Sequence, residues 1–238
     1  MVEAAAAAAR PVGFRLNLPL PTGVETAGAT TAPANGRCRP SRITGHRSGG
    51  YTIRRAWYRM GAAMTLNIER RGRIGVISDT HGYLDPAVTQ LFEGVDHIIH
   101  AGDIIDADTL TELEKIAPVT AVSGNLDAGK LAKLPREVTG EVAGISFVVG
   151  HKRKRLLKRL DQGKIDGYSA AARPDLVVYG HDHIPALEWL DGCLILDPGT
   201  ASSPHEEDDD PTVAIVEAGE AGLSVQFFML ERSPQYSG

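Results

Sequence analysis

Residues 73–127 decide the fold, and their sequence is RIGVISDTHGYLDPAVTQLFEGVDHIIHAGDIIDADTLTELEKIAPVTAVSGNLD. Short apolar runs, typical of buried strands, alternate here with segments of helical period. The predicted strands are residues 73–78, 97–100 and 119–122, and the predicted helices are residues 86–92 and 108–116. This alternation of strands and helices predicts a parallel sheet with helices packed against it.

The sequence beyond residue 127 is richer in strand patterns than in helical ones. Residues 135–149 predict a hairpin that turns near residues 142–144. The other predicted strands are residues 176–179, 186–190, 194–196, 212–217 and 223–230, and the predicted helices are residues 153–162 and 165–172. Because hairpins follow a parallel unit, we expect an α/β protein with a second, mixed sheet.

Side chains able to bind a metal follow five of these strands, and a glycine directly precedes four of these metal-binding residues. In chain order they are Asp79, His81, Asp103, Asn125, His151, His181 and His183. The crevice beyond the carboxyl ends of the strands is where α/β sheets bind ligands. Glycine allows the sharp turns and close backbone approach that a crowded metal site needs. The sequence therefore predicts that all seven side chains meet at one edge of the sheet.

These residue types suit two divalent ions, because a carboxylate can bridge two ions while imidazole and amide groups complete each coordination sphere. Asp79 and His81 are two residues apart, as are His181 and His183. In an extended segment, alternate side chains share a face, so we expect each pair to point to the same side. Seven ligands with one bridge leave open positions for water and a substrate oxygen, as hydrolysis requires.

The motifs DTHG, GDIID, GNLD, GH and GHDH, together with Asp197-Pro198-Gly199-Thr200, resemble those of the calcineurin-like metallophosphoesterases. The closest resemblance is to their small bacterial and archaeal phosphodiesterases, and it covers residues 73–232, which we take as the metallophosphoesterase domain. The resemblance implies a four-layer αββα sandwich of two mixed sheets flanked by helices. Each motif is weak alone, but five in order at family-like spacing form a specific signal.

The resemblance also implies two ligand sets that share Asp103 as the bridge. One ion would be held by Asp79, His81, Asp103 and His183, and the other by Asp103, Asn125, His151 and His181. The implied reaction is in-line attack on the phosphorus of a small or nucleotidic phosphodiester by a metal-bridging water, with the same seven residues as the catalytic set. Mn²⁺ is the metal that the resemblance favours, and the residue types alone also allow Fe, Zn, Ni or Co.

Leu126 departs from many larger relatives, which carry histidine after the asparagine. Such a histidine helps to position the phosphoryl group or to protonate the leaving group, and an aliphatic side chain does neither. The small phosphodiesterase branch often lacks this histidine too. We therefore expect modest activity and a preference for diesters over monoesters, unless Leu126 simply packs beside the site. His100, three residues before Asp103, is expected to be a structural histidine.

Other functions stay open on the sequence alone. The segment Lys152-Arg153-Lys154-Arg155, with Lys158 and Arg159, follows His151 directly. It is either a solvated helical face or a site for additional phosphates, so nucleic acid is a possible but not favoured substrate. Phosphomonoesterase activity and a non-catalytic interaction module of the same fold are the further alternatives. Degraded metal ligands would indicate such a module, whereas here all seven positions are filled.

Residues 1–63 differ from the rest, with nine Arg, no Lys and two Glu, a net charge of +7. Their Pro-, Gly-, Thr- and Ala-rich sequence shows no sustained apolar period, so we expect a mostly disordered basic extension. It is interpreted as translated upstream sequence before a natural start near Met64, as an organellar transit peptide or as an arm for an anionic partner.

The overall composition excludes several classes of protein. The 238 residues carry a formal net charge of −5, which gives no global sign of a nucleic-acid-binding protein. Two cysteines, Cys38 and Cys193, exclude a disulfide scaffold and a four-thiolate zinc site. No apolar run is long enough for a membrane-spanning helix, and no secretory signal pattern is present. We expect a cytoplasmic protein without a membrane partner, and the oligomeric state is open.

Overall fold

A computed structural model of the protein describes residues 10–18, 72–202, 210–219 and 222–230. The elements up to the middle of the chain are β1 (Arg10–Leu18), β2 (Gly72–Ile77), α1 (Pro86–Leu91), β3 (His97–His100), α2 (Ala107–Glu114), β4 (Val119–Ala121) and a short 3₁₀ helix (Leu131–Lys133). They are followed by β5 (Glu137–Val142), β6 (Ile145–Lys152), α3 (Arg153–Asp161), β7 (Leu176–Gly180), β8 (Ala186–Leu190), β9 (Cys193–Asp197), β10 (Thr212–Gly219) and β11 (Gly222–Met229). None of the helices in the described ranges has the length and hydrophobicity of a membrane span.

The strands form two mixed sheets. The first has the order β1-β11-β10-β2-β3-β4, in which β2, β3 and β4 are parallel and the other neighbours are antiparallel. The second has the order β5-β6-β7-β9-β8, in which β6, β7 and β9 are parallel and the two edges are antiparallel. The predicted parallel unit and the predicted second, mixed sheet are both confirmed.

The sheets pack face to face, and helices cover their outer faces. Ile99 of β3 lies in the core between the sheets, while its neighbour Ile98 packs on the outer side with α1 and α2. In the second sheet, Val149 points into the same central core and Val148 packs against Leu156 of α3. Strands buried on both faces read as continuous apolar runs, which is how they were recognised in the sequence. The result is the four-layer αββα sandwich that the family resemblance implied.

Two stretches differ from the sequence expectations. Residues 165–172 are turns instead of a helix: Ile165 and Tyr168 form an isolated bridge, and Gly167 has a left-handed φ of +81°. A helix cannot pass through a residue in that conformation. The strand Arg10–Leu18 pairs antiparallel with β11, within a region for which the sequence predicts no regular element. Within residues 1–63, the expected disordered extension, only residues 10–18 are described, and the others lie outside the described residues.

Candidate metal centre

The five strands that deliver the predicted ligands all end at one edge of the sandwich. Asp79 and His81 follow β2, Asp103 follows β3, and Asn125 follows β4. On the second sheet, His151 is near the end of β6. The two remaining histidines, His181 and His183, follow β7 directly. Because β2, β3 and β4 are parallel, as are β6 and β7, their carboxyl ends meet where the two sheets face each other.

The first group of side chains consists of Asp79, His81 and His183. The Nε2 atoms of His81 and His183 are 3.1 Å apart, although these residues are 102 positions apart in the chain. Asp79 Oδ1 lies 4.0 Å from Nε2 of His81 and 3.5 Å from Nε2 of His183. Two ligand atoms about 2.1 Å from one ion are roughly 3.0–3.4 Å apart at angles between 90° and 109°. The triangle of these three atoms is therefore close to the size that one ion requires.

The second group consists of Asp103, His151 and His181, with Asn125 beside them. His151 Nε2 is 3.2 Å from Asp103 Oδ2 and 3.1 Å from Asn125 Oδ1. The ring centroids of His151 and His181 are 5.1 Å apart. This group brings together the four side chains expected at the second ion. The role of Asp103 as a bridge between the two groups stays a prediction.

A cation fits the second group because of the hydrogen bond on the far side of the His151 ring. Nδ1 of His151 lies 2.9 Å from the carbonyl oxygen of Ala101, which can only accept a hydrogen bond. Nδ1 therefore carries a proton, and Nε2 faces the oxygens of Asp103 and Asn125. In the metal-free site a second proton on Nε2 can bridge these atoms, whereas a metal ion in that position would take the Nε2 lone pair and both oxygens together.

The first group fits a cation for a related reason. Asp79 Oδ1 is fully buried and accepts no hydrogen bond of good geometry within the described part of the chain. A buried carboxylate oxygen in that position is costly unless a positive charge compensates it. A proton could join two of the three facing atoms of Asp79, His81 and His183, whereas a metal ion would satisfy all three.

The backbone of the site is strained. Among the described non-glycine residues, those with left-handed φ are Asp79, His81, Asp103, Ile105, Ala143, His181, His183 and Asp191. Five of these eight are predicted ligands, and such strain typically persists where function requires it. The sequence interpretation placed both Asp-x-His and His-x-His in extended segments, whereas all four residues have left-handed φ. Asp79 and His81 nevertheless lie in one group, as expected, but the expectation of a shared side was wrong for the second pair. His181 and His183 point to different groups, because each lies in a left-handed turn instead of a pleated strand.

Two glycines allow the loops to approach closely. A Cβ at Gly124 would overlap the backbone and carboxylate of Asp103, and a Cβ at Gly180 would overlap the Ser78 hydroxyl and lie 2.6 Å from Asp79 Oδ2. Any larger residue at either position would push a predicted ligand away. The glycines preceding Asn125 and His181 therefore have the role that the sequence suggested for them.

Asp127 is a supporting residue whose role the sequence did not reveal. One carboxylate oxygen accepts the backbone N–H groups of Ile104 and Ile105, each at 2.8 Å, and the other accepts the N–H of Gly124 at 2.8 Å. Asp127 thus ties the loop that carries Asp103 to the loop that carries Asn125. Its presence in the GNLD motif was the available signal, but the contacts cross loops that are distant in sequence.

Asp79 is held in place by its own set of contacts. Its Oδ2 accepts hydrogen bonds from the Ser78 hydroxyl at 2.5 Å and from the His181 N–H at 3.0 Å. The hydroxyl of Thr200, from the DPGT segment, donates to the Asp79 carbonyl at 2.9 Å. These contacts leave only Oδ1 of the carboxylate to face the two imidazoles.

The charges of the site keep its carboxylates ionised. Burial raises the pKa of Asp103, but the hydrogen bond with His151 and the N–H of Leu126 outweigh burial and hold the pKa below its ordinary value. Burial likewise raises the pKa of Asp79, and its contacts, led by the His183 imidazole, bring the pKa below the ordinary value. Both carboxylates are therefore anionic at neutral pH, as metal ligands must be.

The imidazoles respond in opposite directions. Burial lowers the pKa of His181, and the positive charge of Lys152 adds to that effect, so this ring is neutral and can offer a lone pair. Burial also lowers the pKa of His151, but its hydrogen bond with Asp103 and the nearby carboxylates raise the pKa above its ordinary value. In the absence of a metal ion, the negative charges of Asp79 and Asp103 thus favour the protonated form of His151.

His100 has the structural role expected of it. Its Nδ1 accepts the N–H of Gly102 at 3.2 Å, and its Nε2 lies 3.2 Å from the Thr80 hydroxyl. Complete burial lowers its pKa to about 4, so the ring is neutral. His100 therefore supports the loop before Asp103 without facing either group.

The basic segment after His151 begins with Lys152, the last residue of β6, and continues into α3, whose apolar side packs on the second sheet. Arg153 is paired with Glu188 at 2.7 Å, and Arg159 with Glu137. Lys152, Lys154, Arg155 and Lys158 are exposed. Lys152 lies beside Gly180 in the register of β6 and β7, which places it next to His181. Part of the basic segment therefore lies at the edge of the site.

Comparison with known proteins identifies the family. The family model of the calcineurin-like phosphoesterase superfamily domain matches residues 73–221. A probable metallophosphoesterase of Methanothermobacter thermautotrophicus is 35% identical over 148 residues, which are 60% of this chain and 84% of the relative. A phosphodiesterase of Methanocaldococcus jannaschii is 28% identical over 148 residues, which are 53% of this chain and 82% of that relative.

Solved structures agree on the fold. Vacuolar protein sorting 29 from Cryptosporidium parvum aligns with a TM-score of 0.56 at 18% identity, covering 68% of this chain and 93% of that chain. A structure described as a novel archaeal phosphodiesterase aligns with a TM-score of 0.52 at 23% identity, covering 64% of this chain and 98% of the other. Together with the matched motifs, these findings show that the chain belongs to the calcineurin-like phosphoesterase superfamily.

Proposed function

We propose that the protein is a metal-dependent phosphodiesterase that hydrolyses a small or nucleotidic phosphodiester. The observation that carries the proposal is the convergence of two groups of carboxylate and imidazole ligands at the carboxyl ends of the parallel strands. One group has Asp79, His81 and His183, and the other has Asp103, His151 and His181 with Asn125 beside them. The phosphodiesterase among the similar proteins supports the same activity.

The seven side chains would hold two divalent ions, with Asp103 shared between them, and Mn²⁺ is the metal that we favour. Ions bound there would make water nucleophilic at neutral pH and neutralise charge on the phosphoryl oxygens. The chain's own contribution is orientation. Ala101 fixes the tautomer of His151 through the hydrogen bond on Nδ1, and Ser78 and Thr200 fix Asp79. Such supporting contacts typically change metal affinity or activity 10–100-fold.

The position after Asn125 favours diesters over monoesters. Leu126 is exposed at the mouth of the site and has no proton to donate to a leaving alkoxide. A monoester dianion carries more charge on its free oxygens than a diester monoanion, and it therefore loses more from a missing donor. Diesters with good leaving groups are the substrates that need such a donor least.

The basic edge of the site supports a nucleotidic ester as the second form of the proposal. Lys152 is exposed beside His181 of the second group, Lys154 and Arg155 are exposed in the first turn of α3, and none of the three forms an ion pair within the described ranges. They could bind a further phosphate of the substrate. Raised salt would then increase KM for a 5′-phosphorylated dinucleotide more than for an aryl diester that carries no second phosphate.

The test is hydrolysis of bis(4-nitrophenyl) phosphate and of 4-nitrophenyl phosphate with Mn²⁺, Fe²⁺, Zn²⁺, Ni²⁺ and Co²⁺ in turn. We expect turnover of the diester to exceed that of the monoester and to be abolished by a chelator. Asp103→Asn removes the shared charge, so both metal content and turnover should fall at least 100-fold. Glu93→Gln, an exposed carboxylate on the outer face, is the matched control. The proposal would be contradicted if none of the five metals supported turnover, or if Asp103→Asn kept its native metal content.

A further inference from the structure

Large apolar side chains are exposed at few places in the described ranges, and most of these places border the metal centre. Four such residues stand out, with exposed fractions of 46% for Ile105, 54% for Leu126, 51% for Ile184 and 36% for Leu190. The first three lie one or two positions after the predicted ligands Asp103, Asn125 and His183, on the loops that follow β3, β4 and β7. We call Ile105, Leu126 and Ile184 the apolar rim.

Ile105 is the most informative member of the rim. It has a φ of +66°, a conformation that is a genuine outlier for a β-branched residue. Its N–H donates to Asp127 Oδ1 at 2.8 Å, which helps to hold the strained backbone. Its side chain lies 3.7 Å from the position that a Cβ on Gly82 would occupy, so it borders the loop carrying His81. Neither burial nor backbone preference explains an isoleucine at this position, whereas contact with a ligand would.

The other two members are also fixed in place. The N–H of Leu126 donates to Asp103 Oδ1 at 2.7 Å, which locks its backbone beside the carboxylate and leaves the side chain outside. Ile184 stands between His183 and Pro185, and a residue before proline is restricted to extended conformations. More than half of Leu126 is exposed, so its side chain is not part of the buried core beside the site.

We infer that the apolar rim binds the organic ester group of the substrate, so that the preferred diesters carry an aromatic or similarly apolar group. This inference rests on the proposed function and narrows its substrate class. A diester phosphorus at the two ligand groups must extend its ester groups outward past the loops that carry the rim. Three aliphatic side chains from separate loops would contact such a group and remove apolar surface from water.

The kinetic test compares two substrates with the same charge and leaving group, phenyl 4-nitrophenyl phosphate and methyl 4-nitrophenyl phosphate, on the Mn²⁺-loaded enzyme. We express the preference as the ratio of their kcat/KM values. Leu126→Ser and Ile184→Ser should each lower this ratio by about 3- to 10-fold relative to the native protein. This effect is smaller than for a fully buried contact, because the side chains of the rim are half exposed. The intrinsic chemical reactivities of the two esters are the same in every assay, so they cancel when the ratio in a variant is compared with the ratio in the native protein.

Leu190→Ser is the matched control, since Leu190 is exposed at the far end of β8, opposite the end near Ile184. It should leave the ratio within twofold of native. Ile105→Gly provides a second signature: it should lower the ratio but not the melting temperature, because glycine accepts the left-handed backbone. A merely structural Ile105 would show the reverse, a lower melting temperature with an unchanged ratio.

A binding measurement separates this inference from the proposed function. Calorimetric titration of the Mn²⁺-loaded protein with diphenyl phosphate and with dimethyl phosphate should show at least tenfold tighter binding of the diphenyl ion. Leu126→Ser and Ile184→Ser should reduce that difference. If neither nitrophenyl ester is hydrolysed, the proposed function fails while the titration still decides the inference. Equal affinities for the two ions, or a ratio that the rim variants leave unchanged, would overturn it.

Discussion

Asp127 is expected to support both the stability of the fold and the affinity of the metal centre. Its carboxylate accepts three backbone N–H groups, from Ile104, Ile105 and Gly124, each at 2.8 Å. Asp127→Asn keeps the size of the side chain and one carbonyl oxygen, which can still accept from Ile104 and Ile105. Its NH₂ group, however, meets the N–H of Gly124, so two donors face each other.

The size of the effect follows from these contacts. One hydrogen bond to a charged acceptor is lost, two become neutral, and a buried N–H of Gly124 is left without its acceptor. A hydrogen bond to a charged group contributes about 1.5–3 kcal/mol, and an unsatisfied buried donor costs about 1–3 kcal/mol. Since these terms overlap, we expect the free energy of unfolding to fall by about 2–4 kcal/mol, out of roughly 5–15 kcal/mol for a typical domain.

Metal affinity should fall as well, because Asp127 connects the loop of Asp103 to the loop of Asn125. Loss of a supporting contact of this kind typically weakens metal binding about 10–100-fold. Unfolding is measured in urea with a chelator present, and Mn²⁺ affinity by calorimetric titration of the folded protein. The two measurements separate the structural effect from the effect on the metal centre.

Asp175→Asn is the control for a purely structural loss. Asp175 Oδ2 accepts the Ser146 N–H at 2.9 Å and the Ser146 hydroxyl at 2.8 Å, at the start of β6, away from the ligand loops. This variant should lose about 1–2 kcal/mol of stability and keep native Mn²⁺ affinity. The reasoning about Asp127 is refuted if Asp127→Asn unfolds within 0.5 kcal/mol of the native protein, or if the two variants bind Mn²⁺ equally well.

Three further predictions concern other parts of the chain. Leu126→His should raise kcat/KM about tenfold or more for phenyl phosphate, a monoester with a poor leaving group, and less for bis(4-nitrophenyl) phosphate, because an imidazole can donate to the additional phosphoryl charge and protonate the leaving group; an unchanged ratio of monoester to diester rates would argue against this. Burial raises the pKa of Asp197 well above its ordinary value. With a chelator present, the protonated carboxyl therefore gives its full contribution to the free energy of unfolding at acidic pH, and this contribution is lost as pH rises through the pKa of the folded state. Unfolding of Asp197→Asn followed against pH should show that slope removed, and an identical slope in both proteins would disprove the assignment. A chain that starts at Met64 should fold and keep its activity, since every predicted ligand lies beyond it. Without the strand Arg10–Leu18 the edge of β11 is open, so gel filtration should show more self-association. Loss of folding would place the extension in the core.

Local sequence patterns were sufficient for most elements. The apolar runs around Ile98 and Ile99, or around Val148 and Val149, are continuous because both faces of these strands are buried. The turn at Ala143 and Gly144 was predicted where the structure has two left-handed residues. Residues 165–172 were assigned wrongly because their composition suits a helix, while the conformation of Gly167 and the bridge from Ile165 to Tyr168 depend on the surrounding chain.

In the metal centre, too, some features follow from the local sequence and others only from the tertiary structure. The sequence by itself determined which side chains stand at the strand ends, because a strand–turn–ligand pattern is local. The family resemblance implied the two groups, but only the tertiary structure shows how they form: His81 meets His183 across 102 residues, and His181 turns instead towards His151. It also decided that Asp127 joins two loops and that Ile105, Leu126 and Ile184 remain exposed around the site. These features follow from left-handed turns and from packing between the two sheets, and contacts of that range leave no periodic trace in the sequence.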